Sequence, residues 1–164
     1  MKKLCLSLLA ISFFMALLCG CIKENAVKPN TNFTSQCKVE VNDMTLTLNV
    51  ISSSSENVSV EVISPDNMNG LKYERVNSTL YIEYNGLKCT TTDDYLAPFN
   101  PFDVLIDTLV SAKTTELSYM CEADECNVYK GRGENGEYTF FVDKSSGDIK
   151  KIKSLYADYE FVFT

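Results

Sequence analysis

From Cys37 onward the apolar residues of this chain fall on every second position, and that period constrains its fold more than any other feature. CKVEV alternates through Val39 and Val41, TLTLNV through Leu46, Leu48 and Val50, and NVSVEV through Val58, Val60 and Val62. Successive side chains of a strand point to opposite faces, so each run has one apolar and one polar side. Such strands build an antiparallel sheet with one face on a core or ligand and the other in water. SPDNMNG, with Pro65, Asp66, Asn69 and Gly70, is a dense turn signal. LKYERV and TLYIEY follow, divided by Asn77-Ser78, with Leu80, Ile82 and Tyr84 on one face. Asn85-Gly86 predicts a type I′ hairpin turn, because both residues accept positive φ.

The period changes at NPFDVLIDTLVSA, which predicts a helix. Asn100 serves as N-cap, Pro101 as the first helical residue, and Asp103 meets the free amides of the first turn. Phe102, Leu105, Ile106, Leu109 and Val110 recur at intervals of three and four and form a broad apolar stripe, with Asp103 and Asp107 off it. TELSYMC, CNVYKG, GEYTFFV, DIKKIKS and YADYEFVF then return to strand character, and Tyr159, Phe161 and Phe163 share a face. Glu-Ala-Asp-Glu, Arg-Gly-Glu-Asn-Gly and Ser146-Gly147 separate them as hairpin connections. Roughly nine or ten short strands around one helix make an α+β pattern, and the lack of a βαβ rhythm excludes a dinucleotide fold.

The N-terminus follows other rules. Lys2 and Lys3 precede a sixteen-residue uncharged run, Leu4 to Cys19. A spanning helix needs about 20 apolar residues, so this run reads as a secretory signal. Leu18-Cys19-Gly20-Cys21 resembles the lipobox of bacterial lipoproteins, with an aliphatic residue three before the cysteine and a small one just before it. Cys21 has that context; Cys19, directly behind Leu18, does not, and it occupies a position where a small residue is usual. The expectation is a signal peptide over 1–20, an acylated Cys21 with a tether over 21–33, and a single domain over 34–164. An ordinary secreted protein cut nearby and an uncleaved anchor are the alternatives. Several acyl chains on Cys21, at ~0.8 kcal/mol per buried CH₂, would hold the protein on the extracytoplasmic face of the cell membrane.

Residues 21 to 164 amount to one domain's worth of chain. The 15 basic residues lose Lys2 and Lys3 with the leader, so 13 face 22 acidic ones and the charge moves from −7 to −9. That excess argues against nucleic acid and against polybasic adhesion to lipid, leaving Cys21 as the membrane contact. The chain has no histidine, which removes the usual acid–base groups, the Ser-His-Asp relay and most zinc sites. No catalytic constellation is assembled, and the expectation is a monomeric non-enzyme without a cofactor.

Taken together, the strand series ending in SPDNMNGLKYE, the NGLKC turn, the helix opened by PFNPFDVL and the closing VDKSSGDIKKIKSLYADYEFVF resemble the lipoprotein-carrier (LolA-like) superfamily and its Gram-positive membrane-anchored relatives. The resemblance spans about residues 33 to 164. It implies a strongly curved antiparallel sheet, an incomplete barrel, with an amphipathic helix packed on its concave apolar face. It also implies an apolar ligand, a lipid, acyl chain or lipoprotein, between sheet and helix. The chain departs from soluble carriers in carrying its own anchor and in lacking a clear long N-terminal helix.

Phe102, Leu105, Ile106, Leu109 and Val110 are thus the candidate ligand-binding residues, with plain core filling as the competing role. A cell-envelope interaction or sensor module with a filled core is the alternative function. Asp93-Asp94 and Glu122-Ala123-Asp124-Glu125 lack the spacing of a calcium loop and read as solvated charge. Gly131-Arg132-Gly133-Glu134-Asn135-Gly136 is a hairpin connection, not a phosphate loop. Besides Cys21, four cysteines follow the leader. Cys121 and Cys126 flank a four-residue loop, which predicts a hairpin staple; Cys37–Cys89 follows by elimination, with two reduced buried thiols as the alternative.

Overall fold

The computed structural model describes residues 26–54, 57–91 and 100–164. The expected signal peptide and acylation site, residues 1–20 and Cys21, and Asp93-Asp94 lie outside these residues. Among the described residues eleven strands form one antiparallel sheet: β1 (Phe33–Val41), β2 (Met44–Ser54), β3 (Asn57–Ser64), β4 (Lys72–Val76), β5 (Thr79–Tyr84), β6 (Leu87–Thr91), β7 (Ser118–Ala123), β8 (Cys126–Gly133), β9 (Gly136–Asp143), β10 (Ile149–Ser154) and β11 (Glu160–Phe163). Helix α1 (Pro101–Thr114) lies between β6 and β7 in the chain. The strand count exceeds the nine or ten expected because LKCTT pairs with β5 as a strand of its own.

The strand order is β6-β5-β4-β3-β2-β1-β11-β10-β9-β8-β7. Two meanders, β1–β6 and β7–β11, therefore join at the pair β1–β11, where Cys37 faces Phe163 and Lys38 faces Val162. The seam is extended by Thr164 N–H donating to the Gln36 carbonyl at 3.0 Å and by an edge-on contact of Phe33 with Phe163 at 5.5 Å. The edge strands β6 and β7 are not paired with each other, so the sheet stays open.

Tight turns hold the register. Asn85 and Gly86 have φ of 51° and 78° between the paired residues Tyr84 and Leu87, the type I′ geometry that Asn-Gly predicts. Asn42 and Asp43, at φ 48° and 63°, do the same between Val41 and Met44. The alternation is visible in the burial: Val39, Leu46, Leu48, Val50, Val58, Val60 and Val62 face the core.

The chain leaves the sheet at one edge and re-enters at the other, and α1 lies on that crossover. The helix packs against β3 and β4 on one side and β8 on the other. Laid flat, β3 and β8 would stand about 29 Å apart, at ~4.8 Å per strand, whereas a helix is only about 10 Å across. The sheet must curve for one helix to touch both. The residues of α1 and of the inner sheet face form one continuous core.

Candidate functional site

Helix α1 begins as its sequence predicts. The Asn100 side chain accepts the Phe102 N–H at 2.9 Å, Pro101 opens the first turn, and Asp103 lies within it. Asn100 Nδ2 reaches the Tyr73 hydroxyl at 3.4 Å, and Phe102 stacks on the Tyr73 ring at 4.6 Å. These contacts seat the N-terminal end of the helix on β4.

Of the five candidate ligand residues, Leu105, Ile106 and Leu109 are 0% exposed, Phe102 is buried, and Val110 packs half-buried against the same core. The stripe is wider than the sequence pattern indicates, because Val104, Thr108 and Ala112 are buried as well. A helix buried on nearly every side, polar residues included, is an interior helix.

Asp107, expected to lie off the buried stripe, is only 3% exposed. Its Oδ2 accepts the Asn135 N–H at 2.9 Å, and its Oδ1 accepts the Glu134 N–H at 3.4 Å and the Ser111 hydroxyl at 3.2 Å. The carboxylate thus caps the β8–β9 turn with charge-assisted bonds, which is why it tolerates burial. A Cβ on Gly133 would stand 2.6 Å from Asp107 Oδ2, so the turn approaches this closely only with glycine there. One helical turn earlier, Asp103 Oδ2 accepts from Asn135 Nδ2 at 3.2 Å, and its Oδ1 lies 3.6 Å from the buried Arg75 guanidinium. This polar row ties both halves of the sheet to the helix. Its signal in the sequence is the spacing Asp103, Asp107, Ser111, a narrow polar row on a helix otherwise apolar.

Three clefts formed by described residues lie at the periphery. One of about 450 Å³ opens at the C-terminal end of α1, between Lys28, Ser54, Ala112, Lys113 and Tyr129. A neighbour of about 540 Å³ shares Lys28, Glu116, Leu117 and Tyr129 with it. A third, of about 520 Å³, lies by the opposite ends of the strands, between Val39, Thr45, Asp158 and Val162. None of the five helix residues lines any of these three.

All four described cysteines are free thiols. The expected Cys121–Cys126 staple rested on a four-residue loop. The turn is instead two residues, Asp124 and Glu125, so Ala123 faces Cys126 and Cys121 faces Val128. That offset places the two cysteines diagonally, about 7–8 Å apart for such pairs, beyond the usual Cα span of a disulfide. Cys37 and Cys89 do not meet either. β1 and β6 are separated by four strands, or about 24 Å along the sheet. Cys37 is 0% exposed, with burial pushing its thiol pKa up to about 12, while Cys89 is exposed on the edge strand. The alternative of two buried thiols holds for Cys37 alone.

Glu122 of the acidic cluster pairs with Lys144 at 3.0 Å. Among the described residues no group of three or more His, Cys, Asp or Glu side chains is arranged to hold a metal ion, and no helix is long and apolar enough to cross a membrane.

No protein-family model matches the chain, and no curated protein matches it. Among solved structures it is similar to an uncharacterized conserved protein from Thermus thermophilus, at 10% identity and TM-score 0.48, over 80% of this chain and 74% of that one. It is also similar to a LolA superfamily protein from Nitrosomonas europaea, at 11% identity and TM-score 0.44, over 79% of this chain and 67% of that one. At TM-scores below 0.5, neither likeness carries an argument about what this chain does.

Proposed function

We propose that this chain is a lipid-anchored protein of the extracytoplasmic membrane face whose domain is a non-enzymatic interaction module. The observation that supports it is the packed interior: Leu105, Ile106 and Leu109 are fully buried against the sheet, and three clefts formed by described residues lie outside that contact. Cys21, in its Leu-Cys-Gly-Cys context, supplies the membrane attachment. The edge strands offer the contact surface. β6 is exposed from Leu87 through Thr90, and an exposed edge accepts an extended segment of another envelope protein by strand addition.

A second reading places a lipid or acyl chain on the concave face, between sheet and α1. The breadth of that apolar face favours it, since Val60, Leu80, Phe140 and Ile152 belong to one core that, among the described residues, a single α-helix covers. A ligand there displaces α1. Native mass spectrometry after mild extraction separates the two readings: a protein without bound lipid supports the interaction module, and a co-purifying lipid supports the carrier-like one.

A further inference from the structure

Residues 26–32, expected as part of a loose tether, are docked on the domain. Ala26 packs against the core, and the Val27 carbonyl accepts the Tyr129 hydroxyl at 2.9 Å. The Asn30 N–H donates to the Gly147 carbonyl at 2.8 Å, and the Thr31 carbonyl accepts the Ser52 hydroxyl at 2.7 Å. A Cβ on Gly147 would stand 2.9 Å from the Lys28 carbonyl oxygen, so the segment lies directly on the β9–β10 turn. Only four residues, 22 to 25, therefore separate Cys21 from the docked chain. Fully extended, those five steps span at most about 18 Å.

The docked segment marks one end of the strands. Phe33 and its partner Ser52 lie there, and Lys113 at the end of α1 reaches the nearby Ser54 carbonyl. The other end of β1 is the turn at Asn42 and Asp43, about 27 Å away at ~3.4 Å per residue. That distance exceeds the reach of the leash.

We propose that the domain meets the bilayer surface with the pole carrying residues 26–32 and the end of α1, and holds the β1–β2 turn away from it. The inference rests on acylation of Cys21 and adds the orientation that a short leash imposes. Leash length sets this approach, because residues 21–164, with 13 basic against 22 acidic side chains, carry no net positive charge to draw them to anionic lipid. A partner arriving from solution then meets the β1–β2 turn first.

The chain has no tryptophan, so a single introduced one reports its own position. Val27 and Met44 are 37% and 38% exposed, matched in accessibility at opposite poles. Lipidated V27W and M44W proteins are placed in phosphatidylcholine vesicles carrying a nitroxide on the lipid headgroup, with K28W as a second near-pole variant. We expect severalfold stronger quenching at 27 and 28 than at 44, and loss of the difference when twenty Gly/Ser residues are inserted after Asn25. Equal or reversed quenching in protein whose acylated Cys21 is verified by mass spectrometry overturns the orientation alone. An unacylated Cys21 overturns the anchor and the orientation together.

Discussion

Asp107, in the middle of α1, accepts the Asn135 N–H at 2.9 Å and so fastens the buried helix to the β8–β9 turn. With Asp103 facing Arg75 across 3.6 Å, the same side of the helix also holds β4. D107A leaves the turn amides without their acceptor in a buried setting, at a cost of about 2–3 kcal/mol. D107N keeps one acceptor oxygen and costs less. Urea unfolding measures both; a D107A loss below about 0.5 kcal/mol would contradict the clamp.

The core reading of the helix stripe predicts a different response at Leu105. L105A removes a fully buried side chain and is expected to destabilise by about 2–5 kcal/mol, with no effect on lipid content. Thermal and urea unfolding check the stability, and lipid extraction checks the content. A variant as stable as the parent would show that the side chain borders open space.

The thiols should separate by environment. At about pH 8 a maleimide is expected to modify Cys89 and Cys121 in the folded protein, whereas Cys37, buried and with its pKa pushed up to about 12, reacts only after unfolding. Peptide mapping under non-reducing conditions reads both the labels and any bridges. A native Cys37 adduct, or a peptide linking Cys121 to Cys126, would contradict the register described above.

Asp143 should titrate well below the usual carboxylate range. The Ser145 hydroxyl and the Ser146 and Ser145 amides hold its charged form, with a smaller contribution from Lys150. A folded pKa depressed below the unfolded one means the stabilisation is full above about pH 4 and is lost as pH falls through the folded value. Carbon-detected NMR titration follows the group directly, and a midpoint in the ordinary range would refute the turn geometry.

Much of this architecture is legible in the chain. Alternation marks the buried face of β2 and β3, Asn85-Gly86 marks the β5–β6 hairpin, and Asn100-Pro101 marks the helix start, because each is a local rule of backbone or burial. The errors come from tertiary context. Asp107 is buried because the sheet curves around the helix, and no local pattern encodes that curvature. The four-residue loop at Glu122–Glu125 shortens to two because Asp124 adopts φ 52°, which lets Ala123 and Cys126 pair. Residues 26–32 dock through single hydrogen bonds to Tyr129, Gly147 and Ser52, partners about 20 to more than 100 positions away in the chain.

In the proposed interaction module α1 fills the interior and no ligand is bound there. Native mass spectrometry of the protein, released from membranes by mild detergent and cut between Cys21 and Ala26, tests it without the anchor lipid. A filled core predicts the bare mass of the polypeptide with no adduct. A stoichiometric, noncovalent lipid that survives the cut and is lost only on unfolding would contradict it.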